Sequence, residues 1–385
     1  MELCADWNYP TSVRFGAGRI AELADAVKAA GIARPLVVTD PTLARLPMVA
    51  DALATLRGAG LSAGLFSEVR ANPVEANIAA GVAAFRSGGH DGVVAFGGGS
   101  ALDAGKLIAF MTAQVRPVWD FEDVGDWWTR ANAEGIAPVV AVPTTAGTGS
   151  EVGRAAVVTN EATHTKKIIF HPRMLPKVVI CDPALTVGMP SLITAGTGMD
   201  ALAHCFEAYC APSYHPLADG IAAEGVRLVK ENLPRAVNHG SDIEARAHMM
   251  AAAAMGATAF QKGLGAIHAL SHPVGALYDT HHGLTNAVFM PYVLAFNRQE
   301  IEPRIKRLAA YLGMRPTFRA FLDWVLSLRA EINVPHTLAG LKVDDQQIDR
   351  IVAMAVEDPT AGGNPRPFDK RAARTIFRRA LEGRV

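Results

Sequence analysis

The feature that most limits how this chain can fold is a change of pattern near residue 185. Before it, short β-branched runs alternate with alanine-rich segments whose apolar residues recur at helical spacing. "PLVVTD" (35–40), "DGVVAFGGG" (91–99), "APVVAVPTT" (137–145) and "PKVVICDP" (176–183) read as strands. "RIAELADAVKAAG" (19–31), "VEANIAAGVAAFRSGG" (74–89) and "SALDAGKLIAFMTAQ" (100–114) read as the helices between them. Such alternation implies parallel βαβ units with helices on both faces of a sheet. From "LTVGMPS" onward the strand runs stop, and the chain to "RTIFRRALEG" reads as helices punctuated by Gly, Pro and Asn. The expectation is an α/β domain over residues 1–187 and an all-helical domain over residues 188–385. A length of 385 residues suits two cores better than one.

Composition narrows the partners. Half the residues are hydrophobic, and 37 basic side chains balance 37 acidic ones, so no electrostatic bias points to nucleic acid or an anionic membrane. The start, "MELCADWNYPTSVRFGAGR", lacks the pattern of a secretory signal, and "MMAAAAMGATAF" (249–260) is too short to span a bilayer and reads as a core helix. Cys4, Cys181, Cys205 and Cys210 form no C-x-x-C pair, which favours a reducing cytoplasm over a disulfide framework.

Two loops at strand ends carry ligand-binding chemistry. In "VVAFGGGSALDAGK", Gly97, Gly98 and Gly99 stand between a strand and a helix, where backbone can approach a ligand and the helix N-terminus favours an anion. A pyrophosphate fits both features. The plainer reading is a capping box made by Ser100 and Asp103, with the glycines supplying a turn. The spacing matches neither the dinucleotide fingerprint nor the P-loop. A second loop, "PTTAGTGSE" (143–151), sets Thr144, Thr145, Thr148 and Ser150 at the carboxyl edge of the same sheet, where open α/β sheets bind ligands. Asp40 ends "PLVVTD" and either accepts bonds from an adenosine ribose or closes an ordinary turn.

The helical half carries metal-ligand spacing. Asp200 and His204 in "GTGMDALAHCFEAY" lie four apart, on one helix face, and suit a divalent iron or zinc centre with an open position. Cys205 points elsewhere, into packing. His268, His272, His281 and His282 crowd "GAIHALSHPVGALYDTHHG" (265–283), more than one site can use. His268 and His272 also stand four apart, but Pro273 should break or kink a helix there. Spacing alone does not decide which pair faces an ion.

Together "GGGSALDAGK", "PTTAGTGSE", "LPKVVICDP", "GTGMDALAH", "GAIHALSHPVGA", "HHGLTNA" and "GGNPRP" resemble the iron-containing (group III) alcohol dehydrogenases, over nearly the whole chain. The resemblance implies a dehydroquinate-synthase-like fold: an N-terminal Rossmann-like dinucleotide domain, a C-terminal helical metal-binding domain, and an active site in the cleft between them. It implies Asp200, His204, His268 and His282 as ligands of Fe(II), with Zn(II) as competitor, and His272 as the histidine beside nicotinamide and substrate, suited to relay a proton. His281 matches no functional position. The loop from Gly97 to Ser100 would take the pyrophosphate, and Asp103, Thr144 and Thr145 would line the nicotinamide side. Lys166 would reach a ribose, and Leu185 would make an apolar cofactor contact. Asp40 favours NAD over NADP, because a carboxylate repels the 2′-phosphate. Gly153 departs from the threonine of many relatives. Phe260, Trp127 and Trp128 are candidate lining residues or packing.

The implied activity is metal-dependent hydride transfer between NAD(H) and a small alcohol or aldehyde, with primary alcohols, diols and hydroxy acids all open as substrates. A metal-free reductase or a dehydroquinate-synthase-like lyase is the rival on the same fold. Homodimers are common in the family, and together with the cysteine and charge readings above the expectation is a cytoplasmic homodimer with no nucleic-acid or membrane partner.

Overall fold

The computed structural model describes Tyr9, residues 11–163 and residues 165–385; Cys4 and the other residues before Tyr9 lie outside the described residues. The chain divides into two compact units: Tyr9–Thr145 with Gly149–Val187, and Ala146–Thr148 with Gly188–Val385.

The first unit runs β1 (Ser12–Phe15), α1 (Leu23–Ala29), β2 (Pro35–Val38), α2 (Pro47–Gly58), β3 (Gly64–Phe66), α3 (Glu75–Ser87), β4 (Gly92–Gly97), α4 (Gly99–Met111), β5 (Val139–Pro143), β6 (Ala155–Asn160), β7 (Thr165–Phe170) and β8 (Val178–Cys181). Six strands form one sheet in the order β1-β8-β5-β4-β2-β3, every pairing parallel. Side chains alternate across it as a strand requires. Val94, Phe96, Val140, Val142 and Ile180 pack with Leu23, Val27 and Leu56 of α1 and α2. Val93 and Ala95 point the other way, against Gly105 of α4.

The four strands expected from sequence are all in this sheet. Its two edges, β1 and β3, escape a pattern reading because they are short and partly exposed. So does the antiparallel hairpin β6–β7, which stands apart from the main sheet and mixes polar with apolar residues.

The second unit contains α5 (Ser191–Cys210), α6 (Pro216–Asn238), α7 (Ile243–Ala259), α8 (Ala266–Tyr278), α9 (His282–Tyr311), α10 (Phe318–Glu331), α11 (Ile348–Glu357) and α12 (Lys370–Glu382). Among the described residues no strand follows β8, and no helix is long and apolar enough to cross a membrane. From Met199 to Cys210 every residue of α5 is buried, where α6, α7 and α9 pack around the helix. Cys181, Cys205 and Cys210 are buried free thiols, and burial pushes Cys205 and Cys210 up to about 12.

Of the break or kink expected at Pro273, the break does not occur. Helix α8 runs through Pro273 without ending. Proline removes an N–H donor and costs ~3 kcal/mol or more in a helix interior, but Pro273, Val274 and Gly275 are buried, and packing against α9 and α11 retains the helical turn.

Helices α5 and α9 touch through backbone. A Cβ built on Gly283 would lie 2.0 Å from the Gly196 carbonyl oxygen. This contact holds the start of α9, and with it His282, close to Asp200. Gly283→Ala is therefore expected to cost about 3 kcal/mol as an overpacked contact. Gly220→Ala, on α6 with nothing within 4 Å of the new methyl, should gain about 0.5–1 kcal/mol. Urea denaturation of both variants checks the pair; equal stabilities would contradict the packing described.

Candidate active site

The centre of the helical unit is a buried carboxylate. Asp200 and His204 share a face of α5, with His204 Nε2 3.8 Å from Asp200 Oδ1. Helix α8 brings His268 Nε2 to 3.8 Å from the same oxygen, and the first residue of α9 brings His282 Nε2 to 3.5 Å. Asp200, His204 and His268 are buried, and one potential ligand atom from each lies within 4.8 Å of the others. His282 is the most open of the four, its side chain 26% exposed.

Partners distant in sequence divide the histidine cluster. His268 faces Asp200, while His272 Nδ1 bonds Asp358 Oδ2 at 2.8 Å and its ring stacks on His282 at 5.4 Å. His281 is the N-cap of α9, its Nδ1 accepting the Leu284 N–H at 3.4 Å. Phe260 lies edge-on to His204 at 5.1 Å, within the same unit. Trp128 instead packs edge-on against Phe170 and His171, and Trp127 lies under the Arg130 guanidinium.

Burial alone would raise the Asp200 carboxyl, but His204, His282 and His268 outweigh it and hold the group far below the usual range. Burial drives His204 down to about 4. His268 moves the other way, to about 9, because the carboxylates of Asp200 and Glu207 beside it overcome the cost of burial. Asn286, one turn after His282, donates through Nδ2 to Asp200 Oδ1 at 2.8 Å. The same nitrogen stands 3.2 Å from His268 Nε2 and 3.1 Å from His282 Nε2, while its Oδ1 is buried without a partner. The positive end of an amide dipole thus sits among atoms that would grip a cation. A carboxylate oxygen and converging imidazole nitrogens fit a divalent ion.

Glu207, Asn286 and Asp358 are the residues the sequence reading missed. Glu207 stands three residues after His204 and Asn286 four after His282, so helical spacing carried a signal for both. Asp358 is 86 residues from His272 and gave none.

In the α/β unit, Gly97 ends β4 with φ 147°, and a Cβ there would lie 2.7 Å from Ala101 Cβ and 3.1 Å from Leu43. A Cβ on Gly98 would come within 3.2 Å of Thr145. Gly98 is the N-cap of α4 and supplies no side-chain cap, so Ser100 and Asp103 do not form the capping box. The Ser100 hydroxyl donates instead to the Ala71 carbonyl. Asp103 accepts Ser150 Oγ–H at 2.5 Å and the Val157 N–H at 3.0 Å, with Lys106 Nζ at 3.3 Å. Buried Thr144 donates its N–H to the Gly97 carbonyl, tying the second loop to the first. Asp40 Oδ1 accepts the N–H groups of Thr42 and Leu43, so it does close a turn. Lys166 alternates on β7 with Lys167, whose ammonium pairs with Glu122 at 3.0 Å. Leu185 packs on the core shared with α1 and α2. Gly153 has room for a side chain, its nearest neighbours being the Ser150 carbonyl at 3.5 Å and Lys106 Nζ at 3.8 Å.

Comparison with known proteins decides the family. The profile of the iron-containing alcohol dehydrogenases matches residues 10–183, and that of the C-terminal part of the Fe-containing alcohol dehydrogenase family matches residues 194–381. The chain belongs to the iron-containing alcohol dehydrogenases. It is an oxidoreductase of that family. A 4-hydroxybutyrate dehydrogenase of Cupriavidus necator is 37% identical, over 97% of this chain and 98% of that one. An NAD-dependent methanol dehydrogenase of Bacillus methanolicus is 34% identical, over 97% and 98%. The crystal structure of a 1,3-propanediol oxidoreductase superimposes with a TM-score of 0.93 at 34% identity, over 98% of this chain and 99% of that one. The dehydroquinate-synthase-like architecture, a Rossmann-like α/β unit followed by a helical one, is therefore that of an iron-containing alcohol dehydrogenase.

Within this member of the family, Asp103 clasps α4 to the second loop and to β6. Asp103→Ala would leave a buried ammonium, a hydroxyl and a backbone N–H without their shared acceptor. The expected cost is on the order of 3 kcal/mol. Urea denaturation tests it: a loss below about 0.5 kcal/mol would show that the carboxylate is dispensable to the fold.

Proposed function

We propose that the protein is an NAD(H)-linked, metal-dependent dehydrogenase of small alcohols and aldehydes, holding Fe(II), with zinc competing, on Asp200, His204, His268 and His282. The observation that carries this reading is the convergence of three imidazole nitrogens on Asp200 Oδ1, two of them also beside the Asn286 amide. A divalent ion in that place supplies a Lewis acid for the substrate oxygen, and the nicotinamide supplies or accepts the hydride. The protein's own part is to bind, orient and move a proton. His272, with Nδ1 tied to Asp358, keeps Nε2 available as the proton relay. Gly97, Gly98, Gly99 and Ser100 cradle the pyrophosphate, and Asp103, Thr144, Thr145, Lys166 and Leu185 line the rest of the dinucleotide site. No observation favours the metal-free or lyase alternative.

The relatives' names support small alcohols, diols and hydroxy acids as the class to screen. Cytoplasmic residence suits the three buried free thiols, and a homodimer is the common assembly of the family. Absorbance of reduced nicotinamide against an alcohol panel, with the Fe(II)-loaded enzyme, tests the activity; no alcohol or aldehyde supporting turnover would overturn it.

Metal content separates the histidines. His268→Ala/His282→Ala should lose the ion. His272→Ala should retain it yet lose turnover by about 10²–10⁴-fold. Full metal occupancy in the double variant, or loss of metal in His272→Ala, would overturn the assignment.

Asp40 bears on cofactor choice. Its Oδ1 takes both turn N–H bonds and Oδ2 takes neither, so the carboxylate can close the turn and still face a ribose. Asp40→Asn keeps the turn acceptor and removes the charge that would repel a 2′-phosphate. The wild type should prefer NAD in kcat/KM, and the variant should narrow that preference by about 10-fold or more, equivalent to about 1.4 kcal/mol. An unchanged ratio would leave Asp40 as a turn residue alone.

A further inference from the structure

Glu207 is a buried carboxylate with both oxygens engaged, one turn along α5 from His204. Oε1 accepts the Ile267 N–H at 2.7 Å. Oε2 lies 2.7 Å from His268 Nδ1. Helix α8 begins after Gly265, which has no side chain to cap the helix, so α5 supplies the acceptor in its place. A purely structural account would stop at that cap.

The second oxygen adds a chemical constraint. A neutral imidazole carries one N–H and one lone pair, and the partner of one nitrogen determines which nitrogen is free. A carboxylate only accepts, so it demands the proton on Nδ1 and leaves the Nε2 lone pair turned toward Asp200. We propose that Glu207 is a positioning residue that holds His268 in the metal-binding tautomer, and so sets the affinity of the site for a divalent cation. The inference rests on the metal-site reading above and extends it to a residue that would not touch the ion. Carboxylates placed behind ligating histidines act this way in metal sites generally.

Glu207→Gln separates the two roles. Its carbonyl oxygen can still accept the Ile267 N–H, so the cap survives with almost unchanged shape. The amide NH2 must then face His268 Nδ1. A backbone N–H cannot exchange its polarity but an imidazole can, so Nδ1 becomes the acceptor. The proton moves to Nε2, the atom that should ligate.

The test is competition between the whole protein and a chelator for Zn(II), read as a dissociation constant, with thermal melting of the metal-free forms alongside. Glu207→Gln should bind zinc about 10–100-fold more weakly than the wild type while melting within a few degrees of it. A folded variant that binds zinc within about threefold of the wild type overturns the proposal. A second measurement does not depend on the variant folding. In the zinc-loaded wild type with 15N-labelled histidine, His268 should show a protonated Nδ1 and a metal-bound Nε2; the opposite pattern also overturns it. Zinc binding that survives His268→Ala would refute the metal-site reading itself, and this inference with it.

Discussion

The helical unit is organised around one buried charge. An unpaired carboxylate in the place of Asp200 would cost several kcal/mol, and it is sustained by imidazoles from α5, α8 and α9 and by the Asn286 amide. The partners come from three helices, α5, α8 and α9, so these must meet closely. That requirement explains why α5 is enclosed by its neighbours and why α9 presses backbone against backbone at Gly283 and Gly196. The same arrangement that balances the charge collects donor atoms at one point. If these side chains hold the proposed ion, stability of the core and affinity for it draw on the same few residues.

The α/β unit meets a different demand. The loop after β4 leaves little room for side chains at Gly97 and Gly98, and it needs a floor that does not shift. Asp103 provides that floor by bonding Ser150, Val157 and Lys106 at once. The glycine loop is thus secured from below by a charged group that is itself paired.

Local periodicity made part of this legible. Strand and helix alternation located the central strands, and four-residue spacing placed Asp200 beside His204. Two kinds of feature were not legible. Short edge strands such as β1 and β3 bury too little to leave a pattern, and become strands only because a sheet waits for them. The different partners of His268 and His272 were equally hidden, since both residues occupy one face of α8. Glu207 and Asp358 tell the two apart, from positions 61 and 86 residues away. Pro273 does not end α8, because burial against α9 and α11 outweighs the local rule.

The central claim is that Asp200, His204, His268 and His282 together bind one divalent ion. X-ray absorption at the zinc edge of the zinc-loaded protein addresses it most directly. The account predicts a shell of nitrogen and oxygen at about 2.0–2.2 Å, with outer scattering from three imidazole rings and no sulfur at about 2.3 Å. A sulfur shell, or scattering from no more than one imidazole, would contradict it.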